Sequence, residues 1–306
     1  GVDDIVVPAQ RRSENIRDVP FAVSALTPQT LQDISAGGAD VLALSGRVPS
    51  LQVESSNGRY APRFYIRGLG NVDFDFTASQ PVSVVLDDVV LESVYLKGFP
   101  LFDVQQLEVL RGPQGTLFGR NTTGGAIAVI MRKPSDEAGL KMEVTAGSYQ
   151  RYTMKASVDL PVSETVRTKL SGFVVQDRGY LKNITTGDWL NGEKSYGVRG
   201  DVRLLPTDAL TIDVSAEFTS NASTYTGLRN IPGKNPYVKT QVTQPVFYES
   251  AAGLSQTGCS KNNVNTLLTL EKGNCNLSET FAIGGNVNYD LENGSLTYIF
   301  GYRHLD

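Results

Sequence analysis

Few side chains in this chain have the types and spacing that enzyme chemistry requires. His304 is the only histidine, so a histidine-based catalytic triad or a zinc cluster would lack its essential groups. Asp87 and Asp88 are adjacent carboxylates, but neighbours in a strand point to opposite faces, and we interpret the pair as a solvated turn. We therefore expect neither an enzyme nor a bound cofactor or resident metal.

The densest group of unusual residues is the glycine-rich stretch FDVQQLEVLRGPQGTLFGRNTTGGAIAVIMRKP at 102–134. A glycine-rich loop after a strand can bind phosphate, but no Gly-Lys-Ser/Thr follows, which disfavours a nucleotide loop. Apolar residues on both sides predict two short strands, and the glycines between them allow positive φ or close backbone approach. An ordinary soluble β-domain with glycine turns is the alternative.

The order LEVLRGPQGTLFGRNTTGGAIAVI at 107–130 resembles the plug-domain signature of TonB-dependent outer-membrane receptors. The segment RFYIRG is similar to a second plug motif of that family. For Glu108 and Arg111 the resemblance implies buried charged contacts with a barrel wall, the alternative being a local charge pair of little energetic value. The signature residues are Arg67, Gly68, Glu108, Arg111, Gly112, Pro113, Gly115, Gly119, Gly124 and Gly125.

The N-terminal run at 4–9 admits two interpretations. It is a disordered terminus or an edge strand, or else a TonB box, which it also resembles. A TonB box pairs with the energy-transducing TonB complex by strand addition, which requires an extended segment with a free main chain. The box residues would be Asp4, Ile5, Val6, Val7, Pro8 and Ala9.

Residues 19–134 predict a mixed α/β plug domain after a box and linker at 1–18. Thr27 is a plausible N-cap with Pro28 in the first helical position, and a second short helix is expected from Asp40. Extended segments are expected at 19–26, 48–53, 63–68 and, around the aspartate pair, 81–91.

Beyond Pro134, alternation of apolar and polar residues with a period of two predicts strands. We expect seven, at 140–146, 152–160, 165–180, 196–204, 210–218, 280–291 and 295–304. Strands of about ten residues cross a bilayer when tilted. After the first hairpin at 147–149, short connections (161–163, 206–207, 293–294) alternate with long ones (181–193, 221–279). Outer-membrane barrels have short turns on one side and long loops on the other. A soluble β-sandwich has no reason to alternate in this way.

Residues 135–306 are therefore predicted to form a transmembrane antiparallel β-barrel, and an incomplete one. An open strand edge in lipid leaves backbone groups unpaired, so seven strands predict the N-terminal part of a longer receptor. The start at Gly1, without a methionine or signal-peptide h-region, suggests a cleaved signal or numbering that begins inside the protein. With 28 Lys+Arg against 32 Asp+Glu, scattered along the chain, nucleic acid is not an expected partner.

The resemblance implies active transport of a scarce nutrient across the bacterial outer membrane, with the plug towards the periplasm and the long loops outside. A ferric siderophore is the default cargo, a carbohydrate or another large nutrient fits equally well, and a soluble secreted binding protein is the rival class. By order along the chain, the plug apices are 55–61, 70–80 and 91–98. Aromatic groups beside a charge suit a flat or anionic ligand, although the same aromatics could pack plug against barrel; they are Arg59, Tyr60, Phe74, Phe76 and Tyr95.

Cys259 and Cys275 are the only cysteines and are predicted to form a disulfide in the long polar loop. An oxidising compartment favours the bond over two free thiols. Closing a loop of about fifteen residues is worth roughly 3 kcal/mol in the chain-entropy model.

Overall fold

The computed structural model describes residues 5–7, 14–35, 40–55, 61–73, 78–98, 101–182, 189–190, 192–224 and 275–306. The N-terminal region within these ranges is built from short strands and two helices. Its strands are β1 (Val6–Val7), β2 (Glu14–Asn15), β3 (Val23–Leu26), β4 (Leu51–Glu54), β5 (Arg63–Ile66), β6 (Val82–Leu86), β7 (Val89–Leu91), β8 (Val104–Arg111) and β9 (Gly125–Met131). The helices are α1 (Pro28–Ser35) and α2 (Gly115–Phe118), with 3₁₀ turns at Val41–Leu44 and Val94–Leu96.

Local chemistry explains where the helical pieces begin. Thr27 precedes α1, and its hydroxyl accepts a long hydrogen bond from the Thr30 backbone N–H at 3.4 Å. Asp40 caps the 3₁₀ turn, accepting from the Leu42 N–H at 2.9 Å. The predicted helix start after the cap Thr27 is confirmed. The second helix expected from Asp40 begins at that place but is a short 3₁₀ turn.

Among the described residues of this region, five strands form one sheet in the order β3-β8-β9-β6-β7. The pair β6–β9 is parallel and the other neighbours are antiparallel. One face packs on α1, the 3₁₀ turn at Val41–Leu44 and the β4–β5 ribbon. The other face packs on the N-terminal segment and α2. Because both faces are covered, β6 is buried at every position, as expected of a central strand in a sheet with two covered faces.

The C-terminal region is an antiparallel meander. Its strands are β10 (Gly139–Gly147), β11 (Arg151–Pro161), β12 (Val166–Asp177), β15 (Glu193–Thr207), β16 (Leu210–Thr224), β17 (Cys275–Leu291) and β18 (Gly294–Leu305). Within the described ranges these seven are paired in sequence order into one sheet. A short ribbon, β13 (Leu181–Lys182) with β14 (Trp189–Leu190), lies in the connection between β12 and β15. We call the seven-stranded sheet the wall and the N-terminal region the plug.

The wall is apolar on its outer face and polar on its inner face. Large apolar side chains point outward and are exposed, for example Leu140 at 76% and Tyr298 at 64%. The alternate positions, including Lys155, Lys169 and Arg199, are buried. This is the pattern of a membrane barrel, whose lipid-facing side chains are apolar. The predicted fold class, a plug followed by part of an outer-membrane barrel, is confirmed.

The wall departs from the prediction in detail. β15 runs on to Thr207, past the turn expected at 206–207, and its register with β16 shifts between Leu204 and Thr207. Pro206 explains the shift, because a proline cannot donate to the ladder and is accommodated at a bulge.

The predicted domain boundary at 134 stays a prediction; residue 134 lies between the end of β9 and the start of β10. No helix in the described part of the chain is both long and apolar enough to span a membrane.

Candidate functional site

The turn between β6 and β7 carries the plug's clearest contact with the wall. Asp87 and Asp88 both have positive φ, 44° and 67°, and the Asp87 carboxylate accepts from the Arg199 guanidinium at 2.7 Å. Lys133 lies 3.5 Å from the same carboxylate, and the Met131 N–H donates to it at 3.1 Å. The interpretation of Asp87 as part of a solvated turn is therefore wrong, because its side chain is held between the wall and the end of β9.

Arg199 is the centre of a charge network on the inner face of the wall. Its side chain is 8% exposed and bonds Asp201 at 3.0 and 3.1 Å and Glu217 at 3.3 Å, besides Asp87. A buried guanidinium needs carboxylate partners for its fixed fork of donors. One of those partners belongs to the plug, so the network joins the two regions.

A second buried ion pair joins them at the start of β8. Asp103, again at positive φ (52°), pairs with Lys169 of β12, whose side chain is fully buried. Lys169 also donates to the Arg132 carbonyl at 3.1 Å. Burial raises the pKa of Asp103, and the neighbouring Lys169 and Arg132 oppose that shift. Non-glycine residues with positive φ are uncommon, and here two of them present the carboxylates that bind the wall.

Apolar packing completes the interface. The rings of Phe102 and Phe173 lie 5.9 Å apart between centroids. A Cβ at Gly301 would come within 2.8 Å of the Val89 side chain. The glycine therefore allows the β6–β7 hairpin to approach the wall closely.

Glu108 and Arg111 of β8 make their described hydrogen bonds within the plug. Glu108 is fully buried in the plug and accepts from the Gln106 amide at 2.8 Å; burial raises the pKa of this carboxyl to about 7. Arg111 donates to the carbonyls of Pro49 and Val23, each at 3.3 Å. Within the described residues both bond inside the plug, and their contacts with a barrel wall stay a prediction, because the wall in this chain has only seven strands.

Three of the signature glycines at 112–125 adopt the positive φ that was expected. Gly112, Gly119 and Gly125 have φ of 100°, 85° and 149°. A Cβ at Gly125 would lie 2.3 Å from the Leu110 carbonyl oxygen, so no other residue fits between β8 and β9. Gly68 follows Arg67 in a turn where both have positive φ.

The N-terminal segment is docked on the plug. Val6 and Val7 pair with Asn15 and Glu14, and Val7 is fully buried in the second core of the plug. The Gln106 amide donates to the Val6 carbonyl at 3.1 Å. The expectation of a free main chain is thus wrong for residues 5–7; Asp4, Pro8 and Ala9 lie outside the described residues.

Of the candidate ligand residues, only Tyr95 lies within the described ranges. It is half-buried in the Val94–Leu96 turn, and burial raises the pKa of its hydroxyl. Next to it, the buried Lys97 donates to the Gln80 amide oxygen at 3.3 Å and to the Val82 carbonyl at 3.4 Å. Lys97 therefore joins two of the predicted apices. The ligand role of Tyr95 stays a prediction, and Arg59, Tyr60, Phe74 and Phe76 lie outside the described residues.

The structure describes little of the predicted disulfide. Cys275 begins β17, but its side chain and Cys259 lie outside what is described, so the disulfide stays a prediction. Among the described residues, no three His, Cys, Asp or Glu side chains are grouped so that they could hold a metal ion.

Sequence reasoning missed the plug–wall pairs because each joins residues far apart in the chain. The signal for the wall partners was present: Arg199, Asp201 and Arg203 are charges at alternate positions of a strand whose other face is apolar. Charges on the inner face of a barrel need partners inside the barrel. Nothing local indicated that the plug supplied one of them.

Comparisons with known proteins bear on the plug and on the fold. Residues 15–126 match the family model of the TonB-dependent receptor plug domain. The vitamin B12 transporter BtuB of Vibrio vulnificus is 25% identical over 191 residues, which cover 60% of this chain and 30% of that protein. The pesticin receptor of Yersinia enterocolitica is 28% identical over 197 residues, covering 61% of this chain and 28% of the relative.

Among solved structures, the ferric yersiniabactin uptake receptor FyuA from Yersinia pestis has the same fold. The TM-score is 0.72 at 20% identity, over 93% of this chain and 41% of that one. The chain spans less than a third of the length of the two curated relatives.

Proposed function

The chain belongs to the TonB-dependent receptors of the bacterial outer membrane, and from this we propose that it is the N-terminal portion of a receptor that takes up a scarce nutrient by TonB-dependent transport. The plug faces the periplasm, and the long connections after β12 and β16 face the outside.

The observation that carries the proposal is the way the plug is fixed to the wall. Two buried ion pairs, Asp87–Arg199 and Asp103–Lys169, hold the plug against the inner face of the wall. Breaking a buried pair leaves uncompensated charge, which costs several kcal/mol. A pore occupied in this way does not open spontaneously, so passage of a large solute needs an energy input. An energised partner would supply that energy.

We propose a large metal chelate as cargo, with a ferric siderophore first. The relatives and structural neighbours are named as a transporter of vitamin B12 and as receptors of metal-pseudopaline, ferric yersiniabactin and ferric-catecholate. Tyr95 and the other aromatic residues predicted at the apices suit such ligands. A carbohydrate is the alternative cargo.

The test is uptake by the full-length receptor. It would be produced in a bacterium that lacks its own receptors for the probes, which are radiolabelled ferric chelates and cyanocobalamin. We expect accumulation of one probe that stops when the proton gradient is collapsed. Accumulation that continues without the gradient would contradict energised transport.

Energy coupling is tested at Val6. In an antiparallel pair, alternate residues point their N–H and C=O groups away from the partner strand, and at Val6 these groups face away from β2. Val6→Pro removes the N–H that a partner strand would bind, while Val6→Ala keeps it. We expect the proline variant to bind cargo but not transport it, and the alanine variant to do both. Uptake at the wild-type rate by Val6→Pro would refute the coupling role of this segment.

A further inference from the structure

Strand β1 offers one edge to β2 and another to the rest of the plug. The Ile5 carbonyl accepts from the Ile16 N–H at 3.0 Å, and Val6 lies opposite Asn15. Bonded and non-bonded pairs alternate in an antiparallel ladder. Since Ile5 is in a bonded pair, Val6 is in a non-bonded one, and its carbonyl points to the edge that β2 does not cover. We call this the outer edge of β1.

A side chain of the signature strand lies at that edge. The Nε2 of Gln106 on β8 donates to the Val6 carbonyl at 3.1 Å, across 100 residues of sequence. The same nitrogen donates to the Glu108 Oε1 at 2.8 Å. An amide nitrogen has two hydrogens, so both bonds can be made at once. At the outer edge, Gln106 therefore takes the place that a main-chain N–H of a pairing strand would take.

Glu108 fixes the direction of that amide. It is fully buried, and it lies two residues from Gln106 on the same face of β8, where Leu110 packs in the same core as Val7. In the part of the chain that is described, its Oε2 has no hydrogen-bond partner. The carboxyl of Glu108 is therefore held by its hydrogen bond from Gln106. In turn, Glu108 orients the Gln106 amide and acts as a positioning residue.

We propose that Gln106 is a built-in competitor for the strand that binds the N-terminal segment. An extended partner strand can pair with residues 5–7 along the outer edge only after the Gln106 amide leaves the Val6 carbonyl. Strand addition depends on free main-chain groups, and the bond from Gln106 removes one of them. This inference rests on the proposed function, because it concerns regulation of the segment that the energising protein binds.

The test measures binding of the purified periplasmic domain of the energising protein to the full-length receptor in detergent, without cargo. Gln106→Leu removes the competing donor and keeps a side chain of similar size. We expect Kd to fall roughly three- to tenfold, the effect of removing one ordinary hydrogen bond from the closed form. Gln105→Leu is the matched control, since Gln105 is the exposed neighbour on the same strand; its Kd should not change.

The positioning role of Glu108 is tested by two substitutions. Glu108→Leu removes the acceptor for the Gln106 amide and should lower Kd in the same direction. Glu108→Gln keeps a side-chain oxygen at that place and should restore the wild-type value. Hydrogen exchange of peptides covering residues 5–7 and 14–16 should be faster in Gln106→Leu and unchanged in Gln105→Leu.

The outcomes separate this inference from the proposed function. If neither the wild type nor any variant binds the periplasmic domain, the proposed partner is wrong. If the wild type binds and Gln106→Leu has the same Kd and the same exchange, Gln106 is not a competitor, and the proposed transport function stands.

Discussion

The plug and the wall bury opposite kinds of side chain. In the plug, apolar residues such as Val84, Leu107 and Ile127 form the core between the sheet and its covering elements. In the wall, apolar residues such as Val144 and Tyr302 are exposed on the outer face, while Lys155 and Asp201 on the inner face are buried. The two regions follow the same rule, which is that apolar surface avoids water, but the solvent on the outer side of the wall is lipid.

This difference shows where the loss of a polar partner should cost the most stability. In the plug, a buried charge is an exception inside an apolar core. On the inner wall, charges are the normal content, and they must be paired because the plug excludes water from part of that face. The contact between the regions is accordingly made by ion pairs, with Asp87 and Asp103 presented by the plug and Arg199 and Lys169 by the wall.

The largest expected effect comes from removing a wall cation that the plug uses. Arg199→Leu removes the guanidinium shared by the buried Asp201 and the partly buried Asp87 and Glu217. Because Lys133 stays beside Asp87, plug docking should be destabilised by about 3 kcal/mol, the lower end of the cost of breaking a buried pair. We expect faster hydrogen exchange across β6 and β7 in the full-length receptor, and entry of a large antibiotic through the outer membrane.

Arg203→Leu is the control for that change. Arg203 bonds Asp213 of the neighbouring wall strand at 2.7 and 2.8 Å, so its loss disturbs the wall and not the plug contact. Equal leakage in the two variants would mean that Arg199 does not hold the plug.

A smaller effect is expected on the lipid-facing side of the wall. Val214 is exposed on the outer face of β16, so Val214→Arg should cost about 2–4 kcal/mol if this position lies near the middle of the bilayer. Ser215, one residue on, faces the inner side and contacts the Gly284 carbonyl at 3.4 Å. Ser215→Arg should therefore be tolerated. Folding of the full-length receptor into lipid vesicles, followed by its resistance to urea, measures both, and equal losses would argue against a spanning strand here.

The same contrast explains what the sequence could predict. The wall strands were predictable because alternation is a local property: Leu210, Ile212 and Val214 have one environment and Thr211 and Asp213 another. The strands predicted at 140–146, 152–160 and 210–218 lie inside β10, β11 and β16. The plug helix after Thr27 was predictable for a similar reason, since a cap and a proline act within one turn.

The contacts that matter for the site were not predictable, because each depends on residues distant in sequence. Asp87 is followed by a second aspartate and so resembles an exposed turn, until Arg199, 112 residues later, is placed beside it. Val7 looked like part of a free terminus, but it fills a core formed by residues far along the chain. The sequence also does not indicate which of the two buried faces of β8 Glu108 occupies, so its bond to Gln106 was not predictable.

Glu108 is a carboxyl that the plug buries completely beside an apolar core, and its protonation should make plug stability depend on pH. Its folded-state pKa is raised to about 7 from 4.5 by burial, so between those values the folded receptor binds a proton that the unfolded chain has lost. Plug stability should therefore be highest at acidic pH, fall as the pH rises towards 7, and level off above it. The total change is at most about 3 kcal/mol, from 1.36 kcal/mol per pKa unit. Glu108→Gln cannot ionise and should remove this dependence while keeping the bond from Gln106. Hydrogen exchange of the peptide spanning 104–111 in the full-length receptor, corrected for the intrinsic effect of pH on exchange, measures the slope, and an unchanged slope in Glu108→Gln would assign it to another group.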